Sequence, residues 1–169
     1  MKVSSHLIAV YLKPNKDNAA GKYYRVGSNC ESLTINNNAE EEDTADVTME
    51  VKQSKLKSVK WTIEGSGDYD DTDEVYGIFY DLFTSQAVLD AAKCDALLVF
   101  RNKNNEAFSI EKATVVVNSF ALTGADSATV DFKISQNQAP KKGTATVSAD
   151  DNYKTATFTA SASVSASDV

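Results

Sequence analysis

The 169-residue sequence predicts a mainly β fold, a β-sandwich or open barrel of about eight to ten strands with one flanking α-helix. Three observations lead to this fold class. Apolar and polar residues alternate along much of the chain, which is typical of strands with one buried face. Two segments are apolar at consecutive positions, and such strands need cover on both faces. A single segment has apolar residues at helical spacing.

The early strands are predicted from short apolar runs and from alternation. Residues 7–12, 23–26 and 33–35 are the first three candidates. Alternation then predicts strands over residues 47–51 and 59–63, each with a polar face opposite its apolar face.

A long polar loop is predicted over residues 36–46, between two of these strands. The segment has no apolar residue larger than alanine, so it lacks the side chains that join a core. Loops of this length in compact domains are commonly functional. Its larger polar side chains are those of Asn36, Asn37, Asn38, Glu40, Glu41, Glu42 and Asp43.

One helix is predicted over residues 75–89. The apolar side chains that share its face are Val75, Ile78, Phe79, Leu82 and Leu89. Asp71 precedes this segment as an N-cap, and Glu74 three residues later completes a capping box. This helix can cover one face of the strands that are apolar on both sides.

Those two-faced strands are predicted over residues 96–100 and 114–122, and alternation adds a half-buried strand over 130–134. Because neither two-faced segment has a second helix to cover it, the rest of the sheet or another subunit must supply the remaining cover.

The end of the chain predicts a hairpin with a thin apolar face. Residues 145–147 and 156–158 alternate, and the turn-forming residues 149–152 join them. The Ser- and Ala-rich residues 160–169 form either a last strand or a flexible arm. The whole chain, residues 1–169, is expected to be one domain.

Charge and chemistry exclude several function classes. Seventeen basic and 24 acidic residues give a net charge of -7, which argues against a surface that neutralises phosphates. His6 is the only histidine and has no partner suited to a nucleophilic relay, so we expect no catalytic residues and no cofactor. Cys30 and Cys94 lie far apart in the sequence and are expected to be free thiols.

The charged clusters do not match a known site. The acidic run 68–74 fails the helix-loop-helix calcium template, although it leaves open whether a divalent cation binds there. Lys52, Lys55, Lys57 and Lys60 are expected to be solvated in a connection between strands. We find neither a signal peptide nor a run of ~20 apolar residues, so we expect cytoplasmic synthesis and no membrane partner. Two-faced strands, a long polar loop and no predicted chemistry together favour self-assembly.

Residues 58–65, 73–93, 96–100 and 113–134 resemble the major tail protein, the tail tube subunit, of long-tailed bacteriophages. The resemblance is best to the form in phages of lactococci and related Gram-positive bacteria. It implies hexameric rings that stack into a tube, enclose the tape measure protein and conduct DNA without binding it specifically. It also implies a location in the virion tail after synthesis in the host cytoplasm, with tail terminator and distal tail proteins as further partners.

The resemblance also implies roles for individual segments. Residues 36–46 occupy the place of a loop that reaches an adjacent ring. The polar strand faces that would line the lumen carry Thr48, Glu50, Thr62, Glu64, Thr129 and Asp131. Lys60 and Lys133 share those faces and reduce their negative charge. The alternative is a monomeric β-sandwich module that binds carbohydrate or a cell surface, for which an exposed aromatic platform is needed, whereas Trp61 is predicted to face inward.

Overall fold

A computed structural model describes residues 7–14, 21–26, 30–44, 53–122 and 128–161. The mainly β class with a flanking helix is confirmed in these ranges. The strands are β1 (Ile8–Lys13), β2 (Tyr23–Arg25), β3 (Cys30–Thr44), β4 (Gln53–Asp68), β5 (Lys93–Phe100), β6 (Glu106–Leu122), β7 (Ala128–Ser135), β8 (Lys141–Val147) and β9 (Thr155–Ala160), and the helix is α1 (Glu74–Thr84).

The strands pair in the order β3-β4-β7-β6-β5-β1-β2-β9-β8, and a further pairing joins β8 to β6. That pairing closes β6, β5, β1, β2, β9 and β8 into a barrel. Strands β7, β4 and β3 continue from β6 as an open extension of the sheet. The architecture is therefore a closed small barrel with an open sheet attached, rather than an open barrel throughout.

Strand β5 is buried on both faces, as predicted. Ala96 and Leu98 belong to the main core, together with α1, while Leu97 and Val99 belong to a second cluster inside the barrel. The prediction of cover on both faces is wrong for residues 114–122. There Val115 is buried, but Val116 on the other face is 44% exposed.

The helix is shorter than predicted and has a different N-cap. Its N-cap is Asp73 rather than Asp71, because the Asp73 N–H donates to the Asp70 carbonyl and makes a turn that keeps Asp71 outside the helix. The helix ends at Thr84, and Gln86 takes a left-handed backbone conformation at φ 49°. Leu89 therefore lies outside the helix and is 85% exposed rather than packed on the core.

The predicted loop is mostly strand. Residues 36–44 belong to β3 and pair with β4 in a ladder that includes Asn36↔Thr62 and Glu42↔Lys55, with one register shift between Glu40 and Glu41. The prediction failed because it used apolar content, whereas a hairpin satisfies its backbone groups by cross-strand pairing and needs no buried side chain to form. We call residues 36–44 with 53–62 the arm.

Several predictions lie outside the described residues. These are His6, Lys52, Thr48 and Glu50 with the strand 47–51, residues 45–46 of the predicted loop, and residues 162–169 of the tail. Ala160 is the last residue of β9.

The C-terminal hairpin is confirmed. β8 pairs with β9 in a register that includes Ala145↔Phe158 and Val147↔Ala156. Ala145 and Ala156 are buried inside the barrel. The Asp151 side chain accepts hydrogen bonds from the Lys154 N–H and from the Thr155 hydroxyl, and so fixes the turn between the strands.

The two cysteines are free. Cys94 is buried, and the Cys30 sulfur lies 3.2 Å from the Tyr69 hydroxyl, which donates a 2.9 Å hydrogen bond to the Val26 carbonyl. Burial raises the pKa of the Cys30 thiol, so the sulfur stays protonated and contributes as a packed side chain.

Candidate assembly surface

Strands β3, β4, β7 and β6 present one continuous polar face. The registers Thr34↔Glu64, Glu64↔Lys133 and Val116↔Lys133 place these residues side by side across all four strands. Side chains alternate along each strand, so every second residue shares the face. Its members are Ser32, Thr34, Asn36, Asn38, Lys60, Thr62, Glu64, Ser66, Asp68, Thr129, Asp131, Lys133, Ser135, Thr114, Val116, Ser119 and Ala121.

This face brings together four of the six residues predicted to line a lumen, namely Thr62, Glu64, Thr129 and Asp131. Lys60 and Lys133 lie on it too, as expected. Thr48 and Glu50 fall outside the described residues. The role of all six as lumen residues stays a prediction.

Neighbouring side chains on the polar face bind one another. Asn38 Nδ2 donates to Thr62 Oγ1 at 2.6 Å, and Lys133 Nζ lies 3.2 Å from Glu64 Oε1. The Ser119 hydroxyl donates to Asp131 at 3.0 Å.

A fourth contact joins β7 to β4, since the Thr129 hydroxyl donates to Asp68 at 2.5 Å. These acidic oxygens thus already have donors along the sheet. On this polar face, Lys133 balances the charge of Glu64, whereas Asp68 and Asp131 accept hydrogen bonds from neutral hydroxyls.

The opposite face of the same four strands is apolar and is backed by α1. Ile63, Phe132 and Ile134 are each 1% exposed. The rings of Phe79 on α1 and Phe132 on β7 stack with centroids 4.8 Å apart. A glycine at position 65 is required here, because a Cβ would lie 2.7 Å from the Phe132 ring. The sheet therefore has two different faces, the polar face and an apolar face that packs on the core.

A bulge in β6 keeps this division intact. The β6–β7 register shifts between Val117 and Ser119, so Asn118 is the extra residue. Before the bulge Val115 and Val117 face the core, and after it Phe120 does. Without the bulge, the even-numbered Phe120 would lie on the polar face with Thr114 and Val116.

The four-stranded sheet has two free edges in the described part of the chain. β3 pairs only with β4, and β6 has β5 beside it only as far as the pair Lys93↔Thr114. From Val115 to Leu122, β6 is therefore paired with β7 on one side alone. Because four antiparallel strands alternate in direction, β3 of one copy and β6 of another would meet antiparallel. Unpaired edges of this kind are templates for another chain.

The β6 edge is the feature that sequence reasoning missed. Its signal was the run Val115–Val117, whose middle residue is 44% exposed in the described part of the chain. We interpreted the run as a strand covered on both faces, but the exposed Val116 instead marks a strand with an unpaired side.

The arm extends the polar face and carries the seven residues predicted for inter-ring contact. Asn36 is half-buried and the other six are exposed. On the arm's other face, Leu56 and Val59 are 60% and 43% exposed. Hydrogen bonds join its two strands, from Ser58 to Glu40 at 3.1 Å and from Ser54 to Glu41 at 2.9 Å.

The acidic run before α1 is a hydrogen-bonded turn. The Asp70 carboxylate accepts from the Thr72 N–H at 3.0 Å, which lowers the pKa of Asp70, while a hydrogen bond shared with Asp70 raises the pKa of Asp71. In the ranges that the structure describes, no three His, Cys, Asp or Glu side chains are grouped to hold a metal ion. Nor does any helix there have the length and apolarity to cross a membrane.

Comparison with known proteins identifies the fold. No protein-family model matches the sequence, and no curated protein matches it. A chain from the tail of an empty gene transfer agent (GTA) particle, refined with C6 symmetry, matches with a TM-score of 0.61 and 12% identity over 82% of this chain and 97% of that chain. A chain from the virion of the native GTA particle matches with a TM-score of 0.57 and 11% identity over 94% and 100%.

An extracellular contractile injection system and a tube-terminating cap contain chains of similar fold. A chain of the anti-feeding prophage cap, a tube-terminating cap, matches with a TM-score of 0.52 and 12% identity over 85% of this chain and 92% of that chain. At these identities the similarity is one of fold. The chain therefore has the fold of proteins found in phage-like tail and tube particles.

Proposed function

We propose that this protein is a structural subunit that polymerises into a tube, the tail tube of a phage-like virion. β3 of one copy pairs with β6 of the next, and the four-stranded sheets join into a barrel with the polar face inward. The observation that carries the proposal is the two-sided sheet with two free edges of compatible direction. The fold shared with tail and tube particles supports it.

The proposed ring contains six copies. The C6 symmetry of the matching GTA tail supports this number. Four strands from each of six copies give roughly 24 strands, and a spacing of about 4.8 Å per strand gives a diameter of about 37 Å between backbones before strand tilt widens it. The lumen is thus wide enough for a polymer to pass along it.

The lumen proposed here conducts DNA without holding it. The carboxylates on the polar face are paired with lysine or with hydroxyl donors, and the net charge of the chain is -7, so phosphates gain little by contact. The tape measure protein occupies the lumen before ejection, and tail terminator and distal tail proteins close the tube ends. The subunit is made in the bacterial cytoplasm and acts without catalysis.

The arm is proposed to contact the adjacent ring. Its exposed strands project from the edge of the sheet and carry both acidic residues and the exposed Leu56 and Val59. The resemblance to the tail tube subunits of lactococcal phages supports this role and a long-tailed virion. The alternative monomeric binding module would need an exposed aromatic platform, and Trp61 does not provide one, because it is half-buried and packs edge-on against Phe108 at 5.6 Å.

The test is negative-stain electron microscopy with light scattering over a concentration series of the purified protein, with and without a preformed tail tip. Rings or hollow tubes of uniform width are expected. Particles that remain monomeric at every concentration, even on the tail tip, would contradict the proposal.

A further inference from the structure

A groove of about 390 Å³ lies beside the free edge of β6. The end of α1 and the loop after it form one wall, and the β6 edge forms the other. The residues that line the groove include Leu82, Phe83, Ala87, Val115 and Val117. The ring of Phe83 packs on that of Phe120 with centroids 4.7 Å apart, which fixes the end of α1 over this part of β6.

The segment 83–89 exposes large apolar side chains next to this groove. Phe83, Val88 and Leu89 are 48%, 70% and 85% exposed. Leu89 also has a left-handed backbone conformation at φ 54°, which costs a non-glycine residue about 1–2 kcal/mol. Among the described residues, the Leu89 side chain buries too little area to offset this cost. Such a cluster is typical of a contact surface.

Strand β3 has a complementary row of side chains at the other edge of the sheet. Leu33 and Ile35 lie on its core side and are half-buried, while Ser32 and Thr34 lie on the polar face. If β3 of a second copy adds to β6 beyond Thr114, Ser32 and Thr34 extend the polar face. The alternate residues Leu33 and Ile35 then face the groove.

We propose that segment 83–89 clamps the β3 strand of a second copy of this chain. Phe83, Val88 and Leu89 cover Leu33 and Ile35 of that copy, and its backbone pairs with the β6 edge. When β3 of a second copy pairs with β6, its Ser32 and Thr34 continue the polar face, and its Leu33 and Ile35 continue the apolar face. This agreement identifies β3 of a second copy as the strand that binds here. The inference rests on the proposed function, since it names the contact that would close each ring.

The serine double variant V88S/L89S tests the clamp. Both side chains are largely exposed, so the monomer should fold normally. Loss of their burial at the seam should raise the concentration for half-assembly at least about tenfold by light scattering. L89M, which keeps an apolar side chain, should assemble within about twofold of wild type. Equal assembly of the serine double variant and wild type would overturn the clamp.

Disulfide trapping tests the partner directly. In a background with Cys30→Ser and Cys94→Ala, L89C combined with I35C should give covalent oligomers up to the hexamer on a non-reducing gel. L89C with T34C is the matched control, because Thr34 lies on the polar face and should not cross-link.

The outcomes separate the two proposals. Tubes that form but show no ladder for the Ile35 pair, or an equal ladder for the Thr34 pair, would refute the clamp and leave the tube intact. If neither wild type nor any variant assembles, the proposed function fails and the clamp fails with it.

Discussion

Reversing the charge of Glu64 should convert the lumen from a conduit that does not hold DNA into one that binds it. Glu64 and Lys133 are 48% and 43% exposed, and an exposed pair of this kind contributes about 0.2–1 kcal/mol. E64K should therefore lower the free energy of unfolding by no more than about 1 kcal/mol. The monomer should remain folded and able to assemble.

The electrostatic effect in the tube is larger because it repeats around the ring. Beside Lys60, which wild type also carries on this face, E64K would place two neighbouring lysines in each subunit, at position 64 and at Lys133, or about twelve such neighbours in a ring of six. If about half of them contact phosphates, log K should fall with log salt at a slope of about -5. In wild type, Glu64 and Lys133 neutralise each other, so its tubes should show almost no binding.

The assay is assembly in the presence of short duplex DNA, followed by nuclease digestion. E64K tubes should retain protected DNA that is released as salt is raised. E74K is the matched control, since Glu74 is exposed in the first turn of α1, away from the polar face, and any DNA bound there should be digested. Protected DNA in E74K tubes, or none in E64K tubes, would refute the placement of Glu64 in the lumen.

Two further predictions concern the scaffold behind the polar face. G65A should lower the free energy of unfolding by about 1–3 kcal/mol in denaturant titration, because its Cβ would meet the Phe132 ring at 2.7 Å. G77A, in α1 with nothing within 4 Å, should raise it by about 0.5–1 kcal/mol, and the same sign for both variants would contradict this packing. Burial raises the pKa of Tyr69, so the folded state favours the protonated phenol. The contribution of this phenol to the free energy of unfolding is therefore complete below about pH 10 and is lost as the pH rises further. At pH 7 the free energy of unfolding of Y69F should be about 1 kcal/mol lower than that of wild type, because the hydrogen bond to the Val26 carbonyl is lost. Above pH 10 it should fall less steeply with pH than that of wild type. Equal slopes of the two variants above pH 10 would show that Tyr69 does not titrate in this way.

Local periodicity predicted the strands that have one buried face. The alternation around Ile63 and Ile134 identified β4 and β7 and placed Glu64 and Asp131 on their polar sides. An uninterrupted apolar run identified β5, because Ala96 to Phe100 is apolar at every position and only a strand covered on both faces has that composition. These features depend on side chains that are close in sequence.

The remaining features depend on pairing between distant segments. Residues 36–44 contain no apolar pattern, and only their ladder with β4 makes them strand. The barrel closes through β8 and β6, which no local signal specifies. The β6 edge was missed for the same reason, since whether Val116 is covered depends on where β5 stops pairing.

The most direct measurement is a cryo-electron microscopy reconstruction of the assembled tube at side-chain resolution. We expect six copies per ring, with β3 of each copy paired antiparallel to β6 of its neighbour and Glu64, Asp131 and Lys133 facing the lumen. A tube in which this polar face points outward, or in which β3 and the end of β6 remain unpaired between copies, would contradict the central claim.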